Sequence, residues 1–332
     1  MRAVTTPTNA KKTSFEWKIL EQQNESKASP SLEKTNNAKI IKLTPSSSYR
    51  NQIKIQVTAN GKASNHVWVI TTKYVEPNTK YAKVKASSVQ LRTGPAAASR
   101  YEDKGTLKKD KIITILGDYG DWFFFKDGSN HVYAKKDKFR TEYTLAEQKT
   151  ADKNLQTACF NARNDLVSGK DTATKTSTWA GMTNTQRKTT LTNFFNTVKS
   201  TLNLSNASLV FNDAPNGNSG YKAVVIGTRI EMNQKKLSDY EDVFGTIMHE
   251  CRHIYQSESY KSPLKNVVSN KTLEYWEWNN TPGNYTNPAS ASNPGKAYYA
   301  QPIEYDAFRF EGRTRSGLGL TNYDIPHTGS WG

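Results

Sequence analysis

Long apolar runs, cysteines and, in the first half of the chain, acidic residues are what this 332-residue sequence has least of. No stretch approaches the roughly 18 apolar residues of a membrane span, so the chain reads as soluble, without a transmembrane segment. Its start, MRAVTTPTNAKK, lacks the apolar core of a secretory leader. A protein acting outside its producing cell, in the periplasm or in a target cell would therefore need another export route. Two cysteines, Cys159 and Cys251, exclude both a disulfide framework and a thiolate metal cluster. Two readings of them stay open, a pair of buried thiols or one disulfide.

What is abundant is positive charge, and it is unevenly placed. Residues 1–150 hold 27 Lys and Arg against 14 Asp and Glu, while the remainder holds 19 against 16. A front half so basic is drawn to polyanionic surfaces: wall polymers, acidic headgroups or nucleic acid. Apolar residues make up 35% of the chain, enough for folded cores.

The texture of the sequence changes along its length. Residues 1–38 are rich in Lys, Asn, Ser and Thr with few apolar positions, so they are expected to form a flexible basic arm. Residues 39–78 carry three short alternating runs, Lys39 to Leu43, Gln52 to Thr58 and His66 to Thr72, a small β region ending near the EPN at 76–78. Residues 79–142 contain five further strand-like runs separated by GP, KDK, DYGD and DGSN, which predicts a small barrel. From 143 to 332 helical periodicity takes over. Leu191, Phe194, Phe195, Val198 and Leu202 share one face of a predicted helix, two strand-like runs follow, and a helix opens near Ser238 to Asp242. Residues 262–297, rich in Asn, Pro, Ser and Gly, are expected to be a long loop before a short helix from Gln301 to Arg313. The fold class expected is multidomain, a β-rich N-terminal half followed by an α+β domain.

The predicted helix after Ser238 carries His249, Glu250 and His253 in the pattern HECRH. Positions i and i+4 of a helix lie one above the other, so both imidazoles can reach one ion. Zn2+ accepts such nitrogen ligands and leaves a position open for water. Glu250, next to the first histidine, can take a proton from the attacking water as general base. With five His and sixteen Glu, chance places such a pattern in roughly 0.4% of chains of this composition, so chance is a poor explanation. An extended motif would need Gly at 256 and His at 259, but Gln256 and Ser259 stand there. That excludes the metzincin pattern. Glu304, Asp306 and Glu311 in QPIEYDAFRFEGR are the downstream carboxylates on offer as a third ligand.

HECRH followed by Glu304, Tyr305, Asp306 and Ala307 resembles the gluzincin clan of zinc peptidases, whose third ligand is a glutamate in an ExxA stretch on a later helix. The resemblance implies a zincin-like catalytic domain with His249, His253 and Glu304 as metal ligands. The small Ala307 would let the later helix lie close to the metal helix. Many members follow that alanine with Asp, where this chain has Phe308, so Asp306 is the candidate for the group that orients a ligand histidine. Tyr255, Tyr285, Tyr298, Tyr299, Arg309 and His327 are candidate oxyanion donors.

In the front half, VQLRTGP followed by GTLKKDKIITILGDYGDWFFFKDGSNHVYAKK resembles a bacterial SH3-like domain of the kind carried by cell-wall hydrolases. Trp122, Phe124, Gly128, Val132 and Tyr133 align with the end of that pattern, while Asp110 and Asn130 stand where glycines are usual. The resemblance implies a binding module for peptidoglycan, with Tyr101, Trp122 and Tyr133 as candidate groove residues. Together these readings give a zinc hydrolase cutting amide bonds, peptidoglycan foremost, with wall polymers favoured over nucleic acid as the partner of the basic half. Two alternatives stay open: a metalloprotease toxin or effector delivered into another cell, and a non-catalytic wall- or nucleic-acid-binding protein.

Overall fold

The computed structural model describes residues 80–96, 101–288 and 296–312, and shorter stretches before them: 15–24, 31–34, 41–44, 51–59, 62–63, 67–70 and 73–74. The chain divides into two compact units, 1–141 and 142–332.

The first unit is all β among its described residues apart from one short helical turn at Lys136–Lys138. Its strands are β1 (Phe15–Asn24), β2 (Ser31–Lys34), β3 (Ile41–Thr44), β4 (Asn51–Ala59), β5 (Lys62–Ala63), β6 (Val67–Ile70), β7 (Lys73–Tyr74), β8 (Tyr81–Val84), β9 (Ser88–Arg92), β10 (Asp103–Lys108), β11 (Ile112–Tyr119), β12 (Trp122–Asp127), β13 (Asn130–Lys135) and β14 (Phe139–Arg140). Part of the expected arm is thus strand. β1 runs antiparallel to β4, with Ile19 opposite Ile55, and β2 pairs with β3. The reason is legible in β4, where Ile53 and Ile55 alternate with polar residues and are buried, giving β1 an apolar strand to pair with. Residues 1–14, 25–30 and 35–38 of the arm, and the EPN at 76–78, lie outside the described residues.

Strands β8 to β14 hold the second core of this unit, built from Val84, Leu91, Ile113, Ile115, Phe125 and Val132 among others. β11 alternates strictly between partly and fully buried positions, as a strand with one face on a core must. It pairs with β8 through Ile112 to Thr114 and with β12 through Ile115 to Tyr119, so one strand serves two neighbours in succession. A two-residue turn joins β12 to β13, and Gly128 supplies its positive φ of 57°. Asp110, where the SH3-like pattern has glycine, adopts the same left-handed region at φ 68°, which Asp tolerates better than most residues.

The expected closed barrel is not formed. The strand order is β10-β9-β13-β12-β11-β8-β14, with β7 added at β11, and the terminal strands β10 and β14 are not paired with each other. β14 has only two residues. β10 buries Leu107 alone and breaks register between Asp103 and Thr106, as a charged, irregular edge strand does.

The second unit is helical around a three-stranded sheet. It contains α1 (Leu145–Leu166), α2 (Thr172–Gly181), α3 (Asn184–Thr201), β15 (Ser208–Asn212), β16 (Ala223–Ile226), β17 (Arg229–Asn233), α4 (Tyr240–Lys261), α5 (Asn270–Asn279), α6 (Lys296–Ala300) and α7 (Pro302–Phe310). α1 and α3 begin with capping boxes, Thr144 with Glu147 and Thr183 with Gln186, each satisfying two otherwise unpaired helix-end groups. β17 is central, parallel to β15 and antiparallel to β16. Leu191, Phe194, Phe195 and Val198 of α3 face α4, whose Phe244 meets Phe194 at 4.8 Å between ring centroids. Trp179 of α2 is fully buried and donates its indole N–H to the Leu237 carbonyl at 2.8 Å.

The long loop expected over 262–297 is interrupted by α5 and α6. Ser269 caps α5 by accepting from the Thr272 N–H, and Leu273 and Trp276 bury its inner face. Of the four buried positions, Thr272, Leu273, Trp276 and Asn279, only two are apolar, so the Asn- and Trp-rich composition hides the helical period. No helix among the described residues is long and apolar enough to cross a membrane. The cysteines are two free, buried thiols.

Candidate metal centre

Asp239 caps α4 by accepting from the Asp242 N–H, and ten residues later the helix presents His249 and His253 one turn apart. Their rings stand edge to face, 4.6 Å between centroids, with the two Nε2 atoms 3.0 Å apart. α7 crosses α4 and brings Glu304 to them from its first turn. Glu304 Oε2 lies 3.3 Å from His249 Nε2, and Oε1 lies 3.4 Å from His253 Nε2. Ala307, one turn further along α7, is fully buried.

Ligand atoms held at about 2.0–2.1 Å around a tetrahedral ion stand about 3.3 Å apart; here the two nitrogens are 3.0 Å apart, each faces a different Glu304 oxygen at 3.3 and 3.4 Å, and one ligand atom from each residue lies within 4.8 Å of the others. Glu304 Oε2 is buried without a hydrogen-bond partner among the described residues, a costly state for a carboxylate oxygen unless a cation meets it. The set His249, His253 and Glu304 could therefore hold a metal ion. Two neutral nitrogens and one carboxylate suit a borderline divalent ion such as zinc.

Electrostatics within the group are strong. Burial pulls the His253 pKa down, but the Glu304 carboxylate beside it outweighs this and raises it to about 9. Glu304 is raised by burial and pulled further by His253 and His249, ending well below the ordinary carboxylate range. Glu250, lining the same cleft, is pushed up by burial that the two histidines only partly offset. A carboxylate raised in this way is a stronger proton acceptor.

No protein-family model matches this chain, and neither the curated proteins nor the solved structures compared with it contain a similar one.

The remaining candidates divide sharply. Tyr285 and Tyr298 are at the centre: the Tyr285 hydroxyl donates to Glu304 Oε1 at 2.8 Å, and Tyr298 is hydrogen-bonded with Glu304 and Tyr285. Burial first, then the negative Glu304, holds both phenols above their ordinary pKa, so they remain hydrogen-bond donors. Tyr299 lines the cleft and packs on Phe308, 5.0 Å between ring centroids. Tyr255 does not line the cleft; its ring lies under the Arg252 guanidinium at 4.5 Å. Arg309 is likewise engaged elsewhere, with Asp306 at 2.8 Å and Asp152 at 3.2 Å. Asp306 receives Arg252 Nε at 2.7 Å and Gln256 Nε2 at 2.9 Å, so it reaches the histidines only through other side chains. His327 lies outside the described residues.

Two residues near the histidines carry signals the motif does not. Phe308, in the place of the usual Asp, packs against His249 with the rings tilted at 55° and their centroids 4.4 Å apart. Glu311, weighed above as a ligand, instead stands behind His249, its Oε2 3.7 Å from Nδ1. The centre opens on a cleft of about 1500 Å³ lined also by Tyr221, Lys222, Val224, Lys261 and Asn280. That exceeds the roughly 300–1000 Å³ of a site for a small ligand.

In the first unit, Tyr101, Trp122 and Tyr133 come together with Tyr119, but as buried residues rather than an open groove. Tyr101 donates to Gln52 Oε1, and Gln52 Nε2 donates to the Tyr119 hydroxyl at 3.0 Å. β4 thus caps the aromatic cluster. Gly94 lies against the Tyr101 ring so closely that a Cβ there would fall 2.1 Å from a ring carbon.

Proposed function

We propose that this protein is a zinc-dependent hydrolase of the gluzincin type that cuts amide bonds, with peptidoglycan as its substrate and the basic N-terminal half as its anchor. The observation that carries the reading is the convergence of two imidazole nitrogens and the buried Glu304 carboxylate, one ligand atom from each lying within 4.8 Å of the others. His249, His253 and Glu304 would hold the ion. Bound zinc supplies Lewis acidity that polarises a carbonyl and makes water more acidic. Glu250 takes the proton of the attacking water and passes it to the leaving nitrogen, a role favoured by its raised pKa. Tyr285 and Tyr298 direct their hydroxyls to Glu304 and to each other, and so hold that carboxylate in place. The size of the cleft favours a polymer over a small molecule.

The anchor is proposed as a bacterial SH3-like module. Support comes from the glycine-like backbone of Asp110, the indispensable Gly94 and a core strand shared by two neighbours. Because its aromatic cluster is buried, attraction to the wall rests on surface charge, and moderate salt should release it.

The test incubates the full chain with purified sacculi and with casein, each with and without a chelator. New amino termini in sacculi, abolished by the chelator, support the reading. Cleavage of casein alone assigns a protein substrate, as an effector would have. Glu250→Gln should retain its metal and lose at least about 100-fold in turnover; a fully active variant removes Glu250 from the mechanism.

A further inference from the structure

We infer that Gln256 is the positioning residue for His253, fixing the proton on Nδ1 so that Nε2 offers its lone pair to the metal position. The inference rests on the metal-binding reading above, and concerns a residue outside the HExxH pattern and outside the three ligands.

Gln256 is 1% exposed and uses both ends of its amide. One end faces two groups that can only accept: Asp306 Oδ2 at 2.9 Å and the Ile303 carbonyl at 2.9 Å. The Ile303 carbonyl has no proton to give, and Asp306 Oδ2 already accepts from Arg252 Nε at 2.7 Å. That end must therefore be the NH2, and the other end must be the carbonyl oxygen. The carbonyl oxygen lies 3.0 Å from His253 Nδ1. An amide oxygen has no proton to give, so Nδ1 carries the N–H and donates it. In the neutral ring, Nε2 is then the atom with the free lone pair, and it is the one that faces His249 Nε2 and Glu304 Oε1.

The amide is itself held from behind. Arg252, one turn earlier on α4 and fully buried, grips Asp306 through Nε at 2.7 Å and reaches Asp152 of α1 at 2.8 Å. Its guanidinium sits within 5.4 Å of the ring centroids of Tyr255, Trp276 and Phe310. A chain of buried contacts therefore runs from Asp152 through Arg252, Asp306 and Gln256 to His253. The second imidazole is supported differently, with the Glu311 carboxylate behind His249 Nδ1. A neutral amide behind one ligand and a carboxylate behind the other leaves the centre with less negative charge than two carboxylates would.

The decisive measurement is a two-bond nitrogen–proton correlation spectrum of the metal-free full chain, recorded at rising pH until the His253 ring is neutral. His253 is expected as the Nδ1–H tautomer; an Nε2–H pattern in the wild-type protein overturns the inference. Gln256→Leu, checked for its fold by circular dichroism, should lose that preference. It should also weaken zinc binding about 10- to 100-fold, the usual effect of removing a partner of a ligand histidine. A Gln256→Leu protein with wild-type tautomer and wild-type zinc affinity also overturns it. If that variant does not fold, the wild-type spectrum alone decides. A wild-type protein with the expected tautomer but no zinc binding would sink the metal reading and leave the role of Gln256 in orienting His253 standing.

Discussion

Both units bury a polar cluster, and the two clusters behave in opposite ways. In the first, Tyr101, Tyr119 and Gln52 satisfy one another beneath β4. In the second, Glu304 Oε2 is buried without a hydrogen-bond partner among the described residues, beside the facing Nε2 atoms of His249 and His253. Burial alone therefore does not separate a site from a core. A closed set of hydrogen bonds stabilises a fold, whereas unmet valences converging on one point mark where something else must bind.

The contrast can be broken most forcefully behind the site. Arg252→Leu removes the fully buried guanidinium shared by Asp152 and Asp306, leaving both to the partly exposed Arg309, and should cost about 3–5 kcal/mol of unfolding free energy in denaturant. A loss below about 1 kcal/mol would mean that the network is not closed. Zinc at about 100 times its Kd should add about 2.7 kcal/mol, which a chelator removes, and no such increment should depend on the first cluster. Because a proton occupies the free nitrogen of His253 up to about pH 9, zinc affinity should climb by up to about tenfold per pH unit until that value and then level off. Chelator competition at several pH values measures it, and a flat profile would detach His253 from the ion.

Smaller effects belong to the first unit. Gly94→Ala forces the Tyr101 ring aside and should cost about 1–3 kcal/mol, with zinc affinity unchanged. Tyr101→Phe removes the hydrogen bond to Gln52 and should cost about 0.5–1.5 kcal/mol. If either alters zinc binding, the two clusters are not the separate things described above.

The site was more legible than the body that holds it. HECRH stands on α4, with Glu304 opposite, because helical spacing and ligand chemistry are both local rules. Gln256 and Asp306 were visible only as residue types; their relation spans 50 positions and becomes geometry only when α7 crosses α4. α5 was missed because two large buried side chains suffice to seat a ten-residue helix. The fate of Tyr101, Trp122 and Tyr133 was missed for a related reason. Whether an aromatic strand face is open or covered depends on β4, which the alternation of β12 and β13 does not encode. The barrel failed to close at its least apolar strand, a deficit of side-chain burial that DKGTLK already displays.

Arg252 draws together side chains from α1, α4, α5 and α7, from Asp152 to Phe310. During synthesis, the helix bearing His249 and His253 is made some fifty codons before Glu304 and Asp306. A nascent chain can thus shape its first two ligands but cannot assemble the centre, and with contacts this distant in order, maturation must wait for the tail of the message.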